Sequence, residues 1–358
     1  MIRSRRVNRS AVLLLLGMTA LTSACIDDDT VRVGDVGDVT VMTRNLYIGA
    51  DIFRLVGVEP QQIPVVVAQL FGTVQVNDFP ARAGAIAAEI EASDPDLVGL
   101  QEVSLFRIQD PSDYVTGNTA PNAETVYLDY LQVLMDSLAA RSLDYEVVVV
   151  NENADVELPA AKSQTEFFDV RVTDRDVILA RADVQTGASG AATYSTLAPL
   201  PVGGQTFEFP RGYTWVDATV GDVSFRLVNT HLEVSAGGQL AAVQAAQAYE
   251  LIGEFGTESP AIVVGDLNTA PGEAPYAIIT ESFADTWLTG GTGEGLTCCQ
   301  PEVLLQTDAL TSRIDVILAR GVVDVVSADV VGEEEADRTQ GLWPSDHAGV
   351  VATLRVSE

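Results

Sequence analysis

The stretch AIVVGDLNTAPG, residues 261–272, places four apolar residues directly before the tetrapeptide GDLN. The apolar run has the length and the β-branched content of a buried strand. Residues i and i+2 of a strand point to the same side, so Asp266 and Asn268 would face one side together. Taken alone, the pair fits equally well an Asx turn leading into the Pro-Gly sequence. The other segments of the chain decide between these interpretations.

Several other β-type runs carry polar residues at one end. These residues are Asn45, Glu102, Asn229 with His231, Asp315, and Asp346 with His347. The chain contains only two histidines, and both belong to this set. A single histidine is most often a hydrogen-bonded structural residue, but the presence of both in these segments indicates a polar site. We therefore expect several strand ends to meet at one rim of a rigid scaffold.

The chain alternates strand patterns with helical ones, which predicts a layered α/β protein with many strands. Strand patterns cover 39–49, 96–103, 145–150, 175–181, 212–220, 223–233, 261–268, 313–320 and 346–356. Helical spacing covers 81–93, 124–141 and 237–255. The apolar segment 52–80 is predicted to hold a packed helix, with a surface flap near a lipid substrate as the alternative.

The first 24 residues have the pattern of an export signal, with four arginines followed by the apolar run AVLLLLGMTALT. That run is short for a bilayer-spanning helix, which disfavours an N-terminal membrane anchor. LTSAC at 21–25 resembles the lipobox of bacterial lipoproteins, so we predict that Cys25 is lipidated; ordinary cleavage near Ala24 is the alternative. Residues 25–38 then form an acidic tether, and 39–358 form one domain.

These features predict an exported protein held at a membrane surface by the lipid on Cys25, or otherwise a periplasmic or secreted one. The formal net charge is −31, and removal of the four leader arginines would bring it to −35. Lys162 is the only lysine. A surface this acidic repels a polyphosphate backbone, so long nucleic acid is disfavoured as a partner. No protein partner is predicted.

Cysteine usage gives no metal site of its own. Cys298 and Cys299 are adjacent, and the spacing of a thiolate metal site is absent. A vicinal disulfide, two free thiols and two small buried side chains all remain open. The polar residues at the strand ends instead offer oxygen atoms, which are the ligands preferred by Mg²⁺.

Six segments occur in one order along the chain: TRNLYIG, DLVGLQEV, VNTHLE, VVGDLNTAPG, SRIDVIL and WPSDHAGV. Together they resemble the endonuclease/exonuclease/phosphatase superfamily, which includes pancreatic DNase, abasic-site endonucleases, inositol-polyphosphate phosphatases and bacterial sphingomyelinases. The similarity runs from about residue 39 to residue 356. It implies a four-layered α/β/β/α sandwich of the DNase I type, with the site at one end of two packed sheets.

The resemblance also implies roles for individual residues. Glu102, Asp346 and Asn45 match the residues that bind or lie near a Mg²⁺ ion, which Mn²⁺ could replace. His231 matches the histidine that contacts the phosphate or leaving group. Asp266 and Asn268 match the pair that positions the attacking water. Asp315 matches the aspartate that orients the final histidine, His347.

Two further positions are secondary candidates. TDRDVILAR resembles a middle strand that often carries Asn where this chain has Asp176. Arg175 beside it is a candidate contact for the substrate phosphate. The partner of His231, and which of Asp266 and His347 takes the proton from water, stay open at this stage.

The resemblance implies metal-dependent hydrolysis of a phosphoester, with a phosphodiester as the first choice, through in-line attack of water. The substrate would be a small molecule, a nucleotide or a lipid headgroup. The alternatives are a secreted nuclease, a sphingomyelinase- or phospholipase C-like enzyme, and a non-catalytic binding lipoprotein. The scattered arginines argue against a nuclease groove, and the low aromatic content argues against a membrane-contact loop.

Overall fold

Two packed β-sheets form the centre of the fold. The computed structural model describes residues 36–235 and 237–357. Within these residues, the strands are β1 (Val36–Asn45), β2 (Leu97–Gln101), β3 (Leu105–Gln109), β4 (Thr125–Asp129), β5 (Tyr145–Ala161), β6 (Phe167–Arg181), β7 (Gln185–Thr193), β8 (Ala198–Val202), β9 (Gln205–Phe209), β10 (Gly212–Val220), β11 (Val223–His231), β12 (Ala261–Asp266), β13 (Ala284–Asp285), β14 (Asp315–Arg320), β15 (Val322–Val331) and β16 (Gly349–Ser357). The first sheet has the order β15-β16-β1-β2-β6-β3-β4, with β5 also paired to β6. The second has the order β13-β14-β12-β11-β10-β7, and β8 and β9 form a separate hairpin.

Among the described residues, five helices pack on the outer faces of the two sheets, and a short sixth helix contributes Trp287 to the core between them. They are α1 (Ile63–Val76), α2 (Phe79–Ser93), α3 (Tyr130–Ala140), α4 (Gly238–Phe255), α5 (Ala274–Thr280) and α6 (Trp287–Gly290). Short 3-10 turns lie at Ile52–Leu55, Pro60–Gln62, Tyr114–Thr116 and Glu335–Asp337. The first three helices pack on the first sheet, and α4 and α5 pack on the second. The arrangement is the four-layered α/β/β/α sandwich predicted from the sequence.

The central strands β2, β12 and β14 are mainly apolar because both of their faces are buried. In β1, Val39 and Val41 point into the core between the sheets, whereas Met42 packs under the helices of the first sheet. In β12, Ile262 points into the same central core and Val263 packs against α4 and α5. Strand alternation therefore distributes one continuous apolar run between two separate cores.

Strand pairing brings the polar strand ends to one rim. β1 and β2 run parallel, and so do β11 and β12, so their carboxyl ends lie side by side. In the second sheet Asp266 is the register partner of His231 on one side and of Asp315 on the other. The site described below is built on these strand ends, which gives its side chains a rigid base.

The segment 52–80 holds a packed helix, α1, as predicted, and its residues Val67, Leu70 and Phe71 are buried. The helix predicted over 124–141 begins later, at Tyr130, because the preceding residues pair with β3 as strand β4. The Asp129 side chain accepts from Leu131 N at the boundary and caps the helix.

Strands β5 and β6 are longer than the sequence pattern indicated. The predicted leader, the Cys25 lipidation site and most of the tether lie outside the described residues. No helix among the described residues has both the length and the apolar character needed to cross a membrane.

Candidate active site

The strand ends surround a polar cleft of about 360 Å³. Its walls come from both sheets and from the loops after β1 and β11. Six of the predicted site residues line it: Glu102, His231, Asp266, Asn268, Asp346 and His347. Asn45 and Asp315 lie directly behind these groups and hydrogen-bond to them. The structure thus gathers residues that are up to 302 positions apart in sequence.

The GDLN segment is shaped by its backbone. Gly265 has a φ of 152°, and a Cβ there would meet the Thr230 carbonyl oxygen at 1.9 Å, so only glycine fits. Asn268 adopts a φ of 49°, and its N–H donates to Asp266 Oδ1 at 2.8 Å. This stretch therefore forms a turn and also places both side chains in the cleft. This turn orients the Asn268 side chain towards His231.

Asn45 connects two carboxylates. Its Nδ2 donates to Glu102 Oε1 at 3.2 Å and to Asp266 Oδ2 at 3.0 Å. Its Oδ1 accepts from Tyr47 N at 2.8 Å, which fixes the orientation of the amide. Asn45 is thus placed to orient the two carboxylates, and its position near a metal stays a prediction.

His347 is held by Asp315, as the family resemblance implied. His347 Nδ1 lies 2.8 Å from Asp315 Oδ2, and both side chains are buried. Burial alone would lower the pKa of His347, but the surrounding carboxylates outweigh it and raise that pKa well above its usual value. In order of effect, these carboxylates are Asp315, Asp346 and Asp266. The imidazole is therefore charged at neutral pH.

His231 has the opposite electrostatic environment. Arg211 Nη1 lies 3.0 Å from His231 Nδ1, and because a guanidinium can only donate, Nδ1 accepts and the ring proton sits on Nε2. Burial lowers the pKa of His231 well below its usual value, and the charge of Arg211 lowers it further. His231 is thus a neutral N–H donor whose Nε2–H faces Asp266 Oδ2 at 3.5 Å. Asn268 Nδ2 lies 3.0 Å from the same ring nitrogen and donates to the Leu232 carbonyl oxygen.

Arg211 and Asp174 are functional candidates that the sequence patterns did not reveal. Both are buried and line the cleft, with Arg211 Nη1 3.6 Å from Asp174 Oδ2. Arg211 Nη2 also lies 3.9 Å from Glu233 Oε1. Arg211 directly precedes β10, which brings its side chain beside the end of β11. Arg211 is therefore the partner that orients His231, which the sequence had left open.

The two secondary candidates on β6 lie elsewhere. Arg175 donates to the Val103 carbonyl at 2.8 Å and to Asp129 Oδ1 at 2.5 Å, so its guanidinium is engaged outside the cleft lining. This position argues against the predicted phosphate contact. Asp176 is fully buried and accepts from Asn153 Nδ2 at 2.9 Å. Burial, followed by the nearby charge of Asp174, raises the pKa of Asp176 well above its usual value.

Asn229 lies beneath the cleft and joins the sheets. Its Nδ2 donates to the carbonyl oxygens of Leu100 and Val177 in the first sheet, at 3.0 and 3.2 Å. Its Oδ1 accepts from Gln101 Nε2 at 2.6 Å. These buried bonds fix the relative position of the strand ends that carry Glu102 and His231.

The cleft has a donor set suited to a hard cation. Glu102 and Asp346 both face it, and burial raises the pKa of Asp346 to about 6, opposed by His347 and reinforced by Glu102. Among the described residues, neither carboxylate has an arginine or lysine ion pair. Carboxylate oxygens that lack a cationic partner fit Mg²⁺ or Mn²⁺. Asp266, Asp315 and His347 also bring one ligand atom each within 4.8 Å of one another.

Cys298 and Cys299 lie at the edge of the site. Their sulfur atoms lie next to each other, so the pair is placed for the vicinal disulfide that the sequence allows. Cys298 is buried, whereas Cys299 is exposed and lines the cleft.

Comparison with known proteins agrees with this geometry. The model of the Endonuclease/Exonuclease/phosphatase family matches residues 70–347, most of the chain. The chain belongs to the endonuclease/exonuclease/phosphatase family. Members of this family hydrolyse phosphoesters, and the chain is a hydrolase of that superfamily. No curated protein matches its sequence.

Solved structures share the fold of this family member at low sequence identity. An endonuclease/exonuclease/phosphatase family protein from Bacteroides thetaiotaomicron is 16% identical with a TM-score of 0.55, over 90% of this chain and 100% of that one. The mannosyl-6-phosphatase Bt3783 of the same species is 19% identical with a TM-score of 0.54, over 88% and 99%. A humanized D. rerio TDP2 is 16% identical with a TM-score of 0.51, over 88% and 98%. These likenesses establish the fold.

Proposed function

We propose that the protein is a Mg²⁺-dependent phosphodiesterase that acts outside the cytoplasm, at a membrane surface if Cys25 is lipidated. The observation that carries this proposal is the placement of Asp266 between two histidines of opposite electrostatic character. Asp266 Oδ2 lies 3.5 Å from the neutral His231 and 3.8 Å from the charged His347. Such a site can position a water, donate to a phosphoryl oxygen and neutralise developing charge at the same time.

The roles follow from the contacts. Asp266 accepts from Asn45 and from the Asn268 backbone, and these bonds fix the carboxylate that orients and deprotonates the attacking water. Burial raises the pKa of Asp266 to about 6, so it remains ionised at neutral pH. His231 donates from Nε2 to a phosphoryl oxygen. His347, already protonated, stabilises negative charge and serves no role as the initial base.

The metal site would be formed by Glu102 and Asp346. When bound there, Mg²⁺ or Mn²⁺ supplies positive charge that stabilises the phosphoryl oxygens and the leaving group. The Ile48 backbone N–H donates to Glu102 Oε2 at 2.5 Å, and Asn45 donates to its other oxygen, so the carboxylate is held in one orientation. This rigidity favours a geometrically demanding ion.

Binding of Mg²⁺ should weaken as the pH falls below about 6. The ion binds the carboxylate form of Asp346, whose pKa is raised to about 6, so protons compete with it in that range. The dissociation constant should rise by up to about tenfold per pH unit for the one proton displaced. Titration calorimetry at pH 7.5, 6 and 5 measures this change. Equal affinity at pH 7.5 and pH 5 would contradict the assignment, and Asp346→Asn should bind weakly at every pH.

A substrate panel tests the reaction class. DNA, RNA, sphingomyelin, inositol phosphates and simple mono- and diesters should be compared in the presence of Mg²⁺. Turnover of small diesters above duplex DNA is expected, because the net charge of −31 repels long polyanions. Turnover of DNA alone would favour the nuclease alternative. Binding without turnover of any ester would favour the non-catalytic one.

A specific feature supports an amphiphilic substrate as a second candidate. Beside the cleft lies a cavity of about 90 Å³ whose lining residues are all apolar. It is enclosed by α1, the loop after β1 and the β8–β9 hairpin. The cavity and the cleft share five wall residues: Ile48, Ala50, Ile52, Phe53 and Phe209. A phosphodiester in the cleft could therefore place a hydrocarbon chain in this cavity.

A series of alkyl p-nitrophenyl phosphates tests this candidate. Lengthening the alkyl group from ethyl to hexyl should raise kcat/KM by up to about fourfold for each methylene that becomes buried. Val156→Phe, which fills the cavity, should remove the dependence on chain length and leave ethyl ester hydrolysis intact. Val323→Phe, at an exposed position on β15, is the matched control. A flat chain-length profile in the wild type would exclude this candidate without affecting the proposed hydrolysis.

A further inference from the structure

A second group of acidic side chains lies outside the cleft, where the loop between β3 and β4 meets β5 and β6. Asp113, Glu157 and Asp169 each bring one carboxylate oxygen within 4.8 Å of the others. Glu157 and Asp169 are buried, with Glu157 only 2% exposed. None of the three lines the catalytic cleft. Three carboxylates this close repel one another strongly unless a positive charge lies between them.

Backbone groups hold two of these carboxylates in place. Glu157 Oε2 accepts from the N–H groups of Asn122 and Ala123, at 2.6 and 2.7 Å. Asp169 Oδ2 accepts from the N–H groups of Asp113 and Tyr114, at 2.9 and 3.3 Å. The loop is thus wrapped around the ends of two carboxylates that project from the sheet.

The remaining oxygens point to a ligand. Asp113 Oδ1, Asn122 Oδ1 and Glu157 Oε1 are buried and have no hydrogen-bond partner among the described residues. All three atoms are acceptors, and buried acceptors without a donor are destabilising. Among the described residues, no arginine or lysine forms an ion pair with Asp113, Glu157 or Asp169; the two basic side chains of this region pair instead with Asp110 and Asp155. A cation between the carboxylates would satisfy the free oxygens of Asp113 and Glu157 and relieve the repulsion. Asn122 lies beside them, because its Nδ2 donates to Asp113 Oδ2 at 2.9 Å.

We propose that Asp113, Asn122, Glu157 and Asp169 form a Ca²⁺ site that fastens the loop between β3 and β4 to the sheet. The donor set consists only of carboxylate and amide oxygens, which is typical of Ca²⁺. Calcium accepts six to eight oxygens in irregular geometry, with water completing the shell, whereas Mg²⁺ demands a strict octahedron. The site is structural, and its role is independent of the reaction in the cleft.

Terbium luminescence provides a direct test. Tb³⁺ replaces Ca²⁺ and emits when a nearby tyrosine is excited, and Tyr114 adjoins the site through its bond to Asp169. The experiment uses the full chain carrying Glu102→Gln, which weakens ion binding in the cleft. We expect a saturable Tb³⁺ signal that Ca²⁺ displaces at concentrations at least about tenfold lower than Mg²⁺.

Glu157→Gln in the same background should weaken Tb³⁺ binding by at least about tenfold, and Glu124→Gln, at an exposed position in the same loop, should not. Asp113→Asn is the second variant in case Glu157→Gln fails to fold, since Asp113 is only partly buried. Ca²⁺ should also raise the melting temperature of the Glu102→Gln chain. It should not raise the melting temperature of the same chain carrying Glu157→Gln or Asp113→Asn. A Glu102→Gln chain without a Ca²⁺-displaceable signal, or site variants that bind Tb³⁺ like that chain, would overturn the proposal.

Discussion

Replacing His347 by alanine should lower kcat/KM for a phosphodiester by at least about 10²-fold, the lower end of the range for a positioned acid–base group. The side chain is held 2.8 Å from Asp315 and carries a charge that opposes the negative charge of the transition state. His231→Ala should cause a loss of similar size, because its Nε2–H is the donor that faces Asp266 in the cleft. Steady-state kinetics at pH 7.5 with saturating Mg²⁺ measure both effects.

Asp315→Asn serves as the companion variant for His347. It keeps the shape of the side chain and removes the charge that contributes most to the raised pKa of His347. We expect a loss of activity together with a pH profile whose alkaline limb moves to lower pH, because His347 then loses its proton more easily. A merely structural role of Asp315 would change the melting temperature without moving that limb. Near-normal turnover in both histidine variants would remove the catalytic assignment.

Replacing Arg211 by methionine should destabilise the fold by about 3–5 kcal/mol, the usual effect of removing one partner from a buried ion pair. Burial opposes its charge, yet the neighbouring carboxylates raise its pKa, with Glu233 and Asp174 the largest contributors. Without the guanidinium, these acids remain buried without a cation, and His231 loses the donor to its Nδ1. Urea unfolding measures the stability, and the activity of the folded fraction should also fall.

The double variant Arg211→Met with Asp174→Asn tests whether the charge pair is the cause. Removing the acid as well should restore part of the lost stability, since the uncompensated charge is gone. Arg171→Met is a matched control, because Arg171 pairs with Asp155 at a more exposed position and should contribute about 1 kcal/mol or less. Equal destabilisation by Arg211→Met and Arg171→Met would contradict the role given to Arg211.

The fold, and the meeting of polar strand ends at one rim, could be predicted from the sequence for physical reasons. The central strands β2, β12 and β14 read as continuous apolar runs because they are buried on both faces, and a polar residue lies where each of them meets the rim. The pairing of Asp266 with Asn268 follows from alternation alone, and the glycine before them follows from the close approach of the Thr230 carbonyl. Sequence order and the family resemblance then supplied the remaining residues.

Other features depend on contacts that no local pattern encodes. Arg211 reaches His231 only because β10 pairs with β11, and nothing at its own position distinguishes it from other arginines. The same alternation that placed Asp266 also separates Arg175 from its neighbours on β6, so Asp174 faces the cleft and Arg175 does not. The residues before Tyr130 follow a helical pattern but pair with β3, so tertiary pairing outweighs the local preference.

Hydrolysis of bis-p-nitrophenyl phosphate before and after exhaustive chelation tests the central claim most directly. The wild-type chain should lose its activity on chelation and recover it when Mg²⁺ or Mn²⁺ is added. Glu102→Gln should stay inactive at ion concentrations that restore the wild type, since it lacks one of the two cleft carboxylates that would hold the ion. Full activity after exhaustive chelation, or full recovery of Glu102→Gln at the same ion concentration, would contradict a metal-dependent site at these strand ends.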